Sequence, residues 1–135
     1  MRLLAIVLVL ASSSCLAQES AQYRACNEKA NSQFEIHVCA SDEAARADAD
    51  LNRIYRKLLL LAAKKHGAVA KVKAAQRAWI VYRDSYIDAM YPANDKQAEY
   101  GSFFTTDVNN LSAKLTYQQI AALKEMVRQY DWGEP

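Results

Sequence analysis

The 135-residue chain is poor in the residues that interrupt regular structure, with 3 Gly and 2 Pro. Many short strands joined by tight turns need more of both, so helix is favoured over sheet. Histidine is as scarce. His37 and His66 are the only two, and neither stands at a zinc-ligand spacing with a second ligand pair, so no metal site is expected. A glycine-rich phosphate loop and a Ser–His–Asp or Cys–His order are also missing, and with them the commonest nucleophilic and nucleotide chemistries. No cofactor is implied. The length leaves room for one core and no second domain.

What is present begins with a leader. Arg2 precedes the apolar run "LLAIVLVLA" and the small-residue exit "SSSCLAQES". The run is too short for a mature membrane span and reads as a secretory signal. A cut after Ala17 makes residues 1–17 the signal peptide and 18–135 a single domain, periplasmic or secreted. The alternative is a lipoprotein anchored through Cys15, although Ser12 stands where a lipobox wants an aliphatic residue. Removing the leader leaves Cys26 and Cys39, whose simplest state in an oxidising compartment is one disulfide. Two buried free thiols are the other reading.

Charge is unevenly spread. Residues 18–52 hold 3 basic and 7 acidic side chains, residues 53–84 hold 9 and 1, and residues 85–135 hold 4 and 7. A basic block thus lies between two acidic ones.

Apolar residues at 36, 40, 44, 47, 51, 54, 58 and 62 step by three and four and predict one long amphipathic helix. Ser32 with Glu35 forms a capping box at its start, and "KKHG" supplies the stop, with Gly67 free to take the left-handed cap. A further helix, 68–91, has Val69, Val72, Ala75, Trp79, Tyr82, Tyr86 and Met90 on its predicted face and ends before Pro92. Residues 92–102 read as loop and residues 20–30 as a short first helix. Val108, Leu111, Leu115, Ile120, Leu123 and Val127 suggest a final helix or a broken pair, with Thr116 and Gln119 as a second capping box. The expected fold is all-α, a small bundle built on a long antiparallel helical hairpin with one disulfide. Reversal near Ser32 would bring Cys26 opposite Cys39. Reversal at Gly67 would set Tyr55 against Trp79, Asn52 against Tyr82, and Asp48 and Asn52 near Arg83.

Three motifs carry a resemblance. The pattern C…SxxE…C, "DADLNRIY" (Asp48, Leu51, Asn52, Tyr55) and "QRAWIVYRD" (Gln76 to Asp84) together resemble the LprI-type lysozyme-inhibitor family of bacterial envelope proteins. The likeness spans roughly residues 26–125 and thins after residue 90, where "GS" at 101–102 and "LT" at 115–116 fit. It implies an all-helical, exported protein that acts by binding a lysozyme-type muramidase. Family members often carry a second cysteine pair, and here Ile87 and Leu111 stand in its place, which implies an apolar contact instead of a bridge.

Asp48 and Asp84 are the carboxylates a catalytic reading would use, but Arg83 beside them suits an ion pair better than a proton donor. No enzyme is expected. Asp48, Asn52, Tyr55, Gln76, Trp79, Tyr82, Arg83 and Asp84 are read as a structural polar network that fixes the hairpin register. The basic block is a solvated face, a draw for anionic lipid or wall polymer, or the contact surface of an inhibitor. Nucleic acid is not expected as a partner. Lys64, Lys65 and His66 at the hairpin end are the candidate contacts, because cationic groups suit a cleft floored by carboxylates. Long-range steering by a basic lysozyme would instead favour the acidic segments. The rival function is a structural or adaptor module on an envelope protein, wall polymer or membrane surface.

Overall fold

The structure is a computed structural model, and residues 19–132 are described. The expected leader, residues 1–17 including Cys15, lies outside the described residues. Among those described there are five helices and no strand: α1 (Ala21–Lys29), α2 (Gln33–Ala62), α3 (Ala68–Met90), α4 (Lys96–Tyr100) and α5 (Phe104–Asp131). None of them is long and apolar enough to cross a membrane.

α2 forms where the period predicts. Ser32 Oγ accepts from Glu35 N–H at 3.2 Å, while Glu35 Oε2 reaches back to Asn31 N–H at 2.6 Å, one residue before the expected partner. The helix stops at Ala62, earlier than the basic run, so Lys64, Lys65 and His66 form an exposed turn instead of a last helical turn. Gly67 closes it at φ 71°, a left-handed value that glycine adopts without strain.

The buried stripe of α2 (Leu51, Ile54, Leu58, Ala62) meets Ile120, Leu123 and Val127 of α5 and Ala68 and Val72 of α3 in one core. The α2–α5 interface is the most extensive in the molecule. Lys57 pairs with Asp131 and Glu43 with Tyr117, a constant offset along the chain, so the two helices run parallel. α3 returns antiparallel to both and packs on them more thinly.

Two sequence expectations change and one open choice closes. The 92–102 segment contains α4, capped by Asp95 Oδ1 accepting from Ala98 N–H at 3.0 Å and braced by the ring cluster of Tyr91, Tyr100 and Phe104. α5 is one unbroken helix: Thr116 is buried within it and its partner in the supposed capping box, Gln119, bonds to α3 instead. On α3 the buried line is Ala68, Val72 and Gln76, with Trp79, Arg83 and Ile87 half-buried, whereas Ala75, Tyr82, Tyr86 and Met90 are exposed. Gln76 and Arg83 take core-facing places because each finds a partner there, which an apolar count cannot register. Ile87 and Leu111 are both half-buried.

Nine residues are too few for a helix to persist alone, so α1 needs outside support. It buries Tyr23 against Cys39 and Ala40 of α2, and the Cys26–Cys39 disulfide locks that contact at a Cα–Cα distance of 5.7 Å. Closing a loop of this size is worth about 3 kcal/mol in the chain-entropy account. Adding reductant during urea unfolding should therefore lower stability by about that amount, and an unchanged midpoint would show that α1 holds without the bridge.

Candidate functional site

The two segments singled out by their motifs meet across α2 and α3. Arg83 Nε donates to Asp84 Oδ1 at 2.9 Å, its Nη1 lies 3.6 Å from Asp48 Oδ1, and its guanidinium sits 5.2 Å from the Trp79 ring centre. Gln76 Oε1 accepts from Gln119 Nε2 at 3.0 Å, tying α3 to α5. Tyr55 packs against the main core. Asn52 and Tyr82 are exposed and stand apart from these bonds, Tyr82 lying against Tyr86 with ring centres 5.9 Å apart. Asp48, Tyr55, Gln76, Trp79, Arg83 and Asp84 thus join the core or the Arg83 cluster, which keeps Asp48 and Asp84 on the solvent side of Arg83.

A second cluster has a larger share of buried polarity. Glu43 is 2 % exposed, in line with the apolar stripe of α2 between Ala40 and Ala47. A carboxylate there must be paired. Ser20 donates to it twice, through N–H to Oε1 at 2.9 Å and through Oγ to Oε2 at 2.5 Å. Arg46 Nη2 donates to Oε2 at 2.9 Å, and Tyr117 Oη donates to Oε1 at 3.0 Å. Burial pushes the carboxyl up, but the bonds from Ser20, Arg46 and Tyr117 outweigh it and hold the group below its ordinary value. Burial, together with the bond to Glu43 and its charge, pushes the Tyr117 phenol up to about 12. The carboxylate therefore stays ionised and the phenol stays a donor across the physiological range. Neither is poised to move a proton near neutral pH, so the cluster acts as a clamp joining the chain at Ser20 to α2 and α5.

Sequence reasoning missed this clamp. Its one local signal is an acid on the buried register of α2 with an arginine three residues on. The other two partners lie 23 and 74 residues away. A cavity of about 200 Å³ adjoins it, bordered by Glu19, Tyr23, Asn110, Leu111 and Lys114. Among the described residues no group of three or more His, Cys, Asp or Glu could hold a metal ion.

The third feature is the α2–α3 turn. Residues 63–67 are all exposed, yet their backbone is tied down: Ala63, Lys64 and Lys65 N–H donate to Leu59, Leu61 and Ala62 carbonyls, and Ala68 N–H donates to Lys65 O. Lys65 Nζ lies 5.1 Å over the Tyr130 ring, so α5 steadies the turn from the side. Lys64, Lys65 and His66 are thereby displayed together on a short, hydrogen-bonded element. Cations just beyond the end of α2 also offset its negative terminus, a stabilising role that needs no partner.

An uncharacterized protein of Rhizobium meliloti (strain 1021) is 35% identical, with 73% of this chain and 76% of the relative covered. No solved structure matches. A family model described as "Lysozyme inhibitor LprI" matches residues 24–123, a span that holds Cys26 and Cys39, the Asp48–Tyr55 and Gln76–Asp84 segments, Glu43 and Tyr117. The chain belongs to the LprI family of lysozyme inhibitors.

Proposed function

We propose that the protein is an exported envelope protein that inhibits a lysozyme-type muramidase by occupying its cleft. Membership of the family supports inhibition at the coarse level. The leader-like N-terminus and a disulfide, a bond favoured in oxidising compartments, support a periplasmic or secreted location. The observation that carries the finer reading is the α2–α3 turn. It presents two lysines and a histidine on a backbone already ordered, so little backbone freedom is lost on docking. Muramidase clefts carry two carboxyl groups on either side of the scissile bond, at least one of them ionised in the working enzyme. Cationic side chains on a narrow element complement that floor.

The basic block at 53–84 favours one rival, a module that adheres to anionic wall polymer or membrane. Purified mature protein at micromolar dose should slow the clearing of cell-wall suspensions by at least one lysozyme class. No slowing in any class, with cosedimentation on wall sacculi or anionic vesicles, would give the function to the rival.

A further inference from the structure

The tip of the molecule carries more than the turn. Because α5 runs parallel to α2, its C-terminal end arrives beside the turn, as the 3.9 Å Lys57–Asp131 pair and the placement of Lys65 over Tyr130 record. The next residue, Trp132, is 91 % exposed, the barest of the exposed large apolar side chains among the described residues. It is not on a loose tail: its N–H donates to Arg128 O at 3.0 Å as the cap of α5. An indole left in water at the end of the helix whose Tyr130 and Asp131 meet Lys65 and Lys57 has the composition of an interface anchor, since tryptophan is enriched among the residues that dominate binding energy.

We propose that Trp132 and the Lys64–His66 turn form one contact surface whose partner is the saccharide-binding cleft of a muramidase. This rests on the inhibitor reading above and adds the aromatic half of the contact. A cleft built for sugar rings has flat walls as well as a carboxylate floor. The indole has a flat apolar face to lie on such a wall and one N–H to donate. Lys65, held over Tyr130, would address the floor from the adjoining position. The anchor and the cations together account for recognition of a carboxylate-lined groove, where a cationic patch alone would bind any anion.

The test uses the full mature chain labelled with 5-fluorotryptophan, whose two fluorine resonances report Trp79 and Trp132 and are assigned with Trp132→Phe. Adding the inhibited lysozyme should shift the Trp132 resonance and leave Trp79 in place. Trp132→Ala should weaken inhibition at least about tenfold, as loss of an anchor does. Trp132→Phe should retain most of it, and both variants should melt with the parent. If Trp132→Ala inhibits like the parent while charge reversal at Lys65 does not, the cleft reading stands and the aromatic anchor is wrong. If the parent forms no complex with any lysozyme class, both fall together. A Trp132 shift on adding a wall oligosaccharide without enzyme would also overturn the proposal, by making the surface a glycan site.

Discussion

Glu43→Ala should lower the stability of the mature protein by about 3 kcal/mol, as breaking a buried charged pair does. That corresponds to a fall of roughly 12 °C in the melting midpoint for a domain of this size. The variant strips three partners at once. It leaves the Ser20 N–H and hydroxyl and the Tyr117 hydroxyl without their acceptor, and frees Arg46 into solvent. Tyr117→Phe removes one bond and should cost about 1 kcal/mol. The pH dependence has a definite sign. The folded-state pKa of Glu43 lies below its ordinary value of 4.5, so its contribution is fully present above that value and fades as pH falls through the folded one. The phenol of Tyr117 is raised, so its contribution is intact below about 10 and lost as pH climbs toward about 12. Thermal melts from pH 7 down to 3 should show a steep acid limb in the parent and a shallower one in Glu43→Ala. Parallel limbs would mean that Glu43 does not couple protonation to folding.

Lys65→Glu combined with His66→Ala should abolish inhibition within the range of a lysis assay while the melting midpoint moves by a few degrees at most. Removing one partner of a desolvated charge pair costs about 2–5 kcal/mol, and reversing its sign adds repulsion from the cleft carboxylate. At about 1.4 kcal/mol per tenfold, the loss is roughly thirtyfold or more. The stability cost is small because the turn is exposed; what goes is the contact of Lys65 with Tyr130, worth about 0.5–1 kcal/mol, and some compensation of the α2 terminus. Inhibition that survives the double change would move the binding face elsewhere, with the acidic segments next in line.

Local features of the fold were legible in advance. The three-and-four spacing and Ser32 with Glu35 mark the course and start of α2 from residues a few positions apart, whereas its end at Ala62 falls short of the "KKHG" stop and Gly67 instead opens α3. The two reversals put Cys26 opposite Cys39 and Asp48 opposite Arg83, because a hairpin pairs residues at equal distances from its turn. What stayed hidden depends on residues far apart. Nothing near Glu43 says that Ser20 and Tyr117 will solvate it, and an unpartnered carboxylate would not be placed in a core. The parallel α2–α5 pairing is invisible for the same reason, since no turn joins those helices and their register is set by packing. α3 misled for a different cause: large aromatics at helical spacing resemble a core face, but Tyr82, Tyr86 and Met90 face solvent while Gln76 and Arg83 face inward. At the candidate site the cations of the turn could be read in the chain, whereas Trp132 gains meaning only once α5 is seen to end beside them.

If the α2–α3 turn enters a muramidase cleft, the protein must compete with saccharide for that cleft. Titrating mature protein into a lysozyme that it inhibits should give a saturable one-to-one complex by calorimetry. The apparent affinity should fall in proportion to the occupancy of the cleft when a non-hydrolysed oligosaccharide is added beforehand. Binding of unchanged strength to the oligosaccharide-filled enzyme would place the contact outside the cleft and rule out entry of the turn.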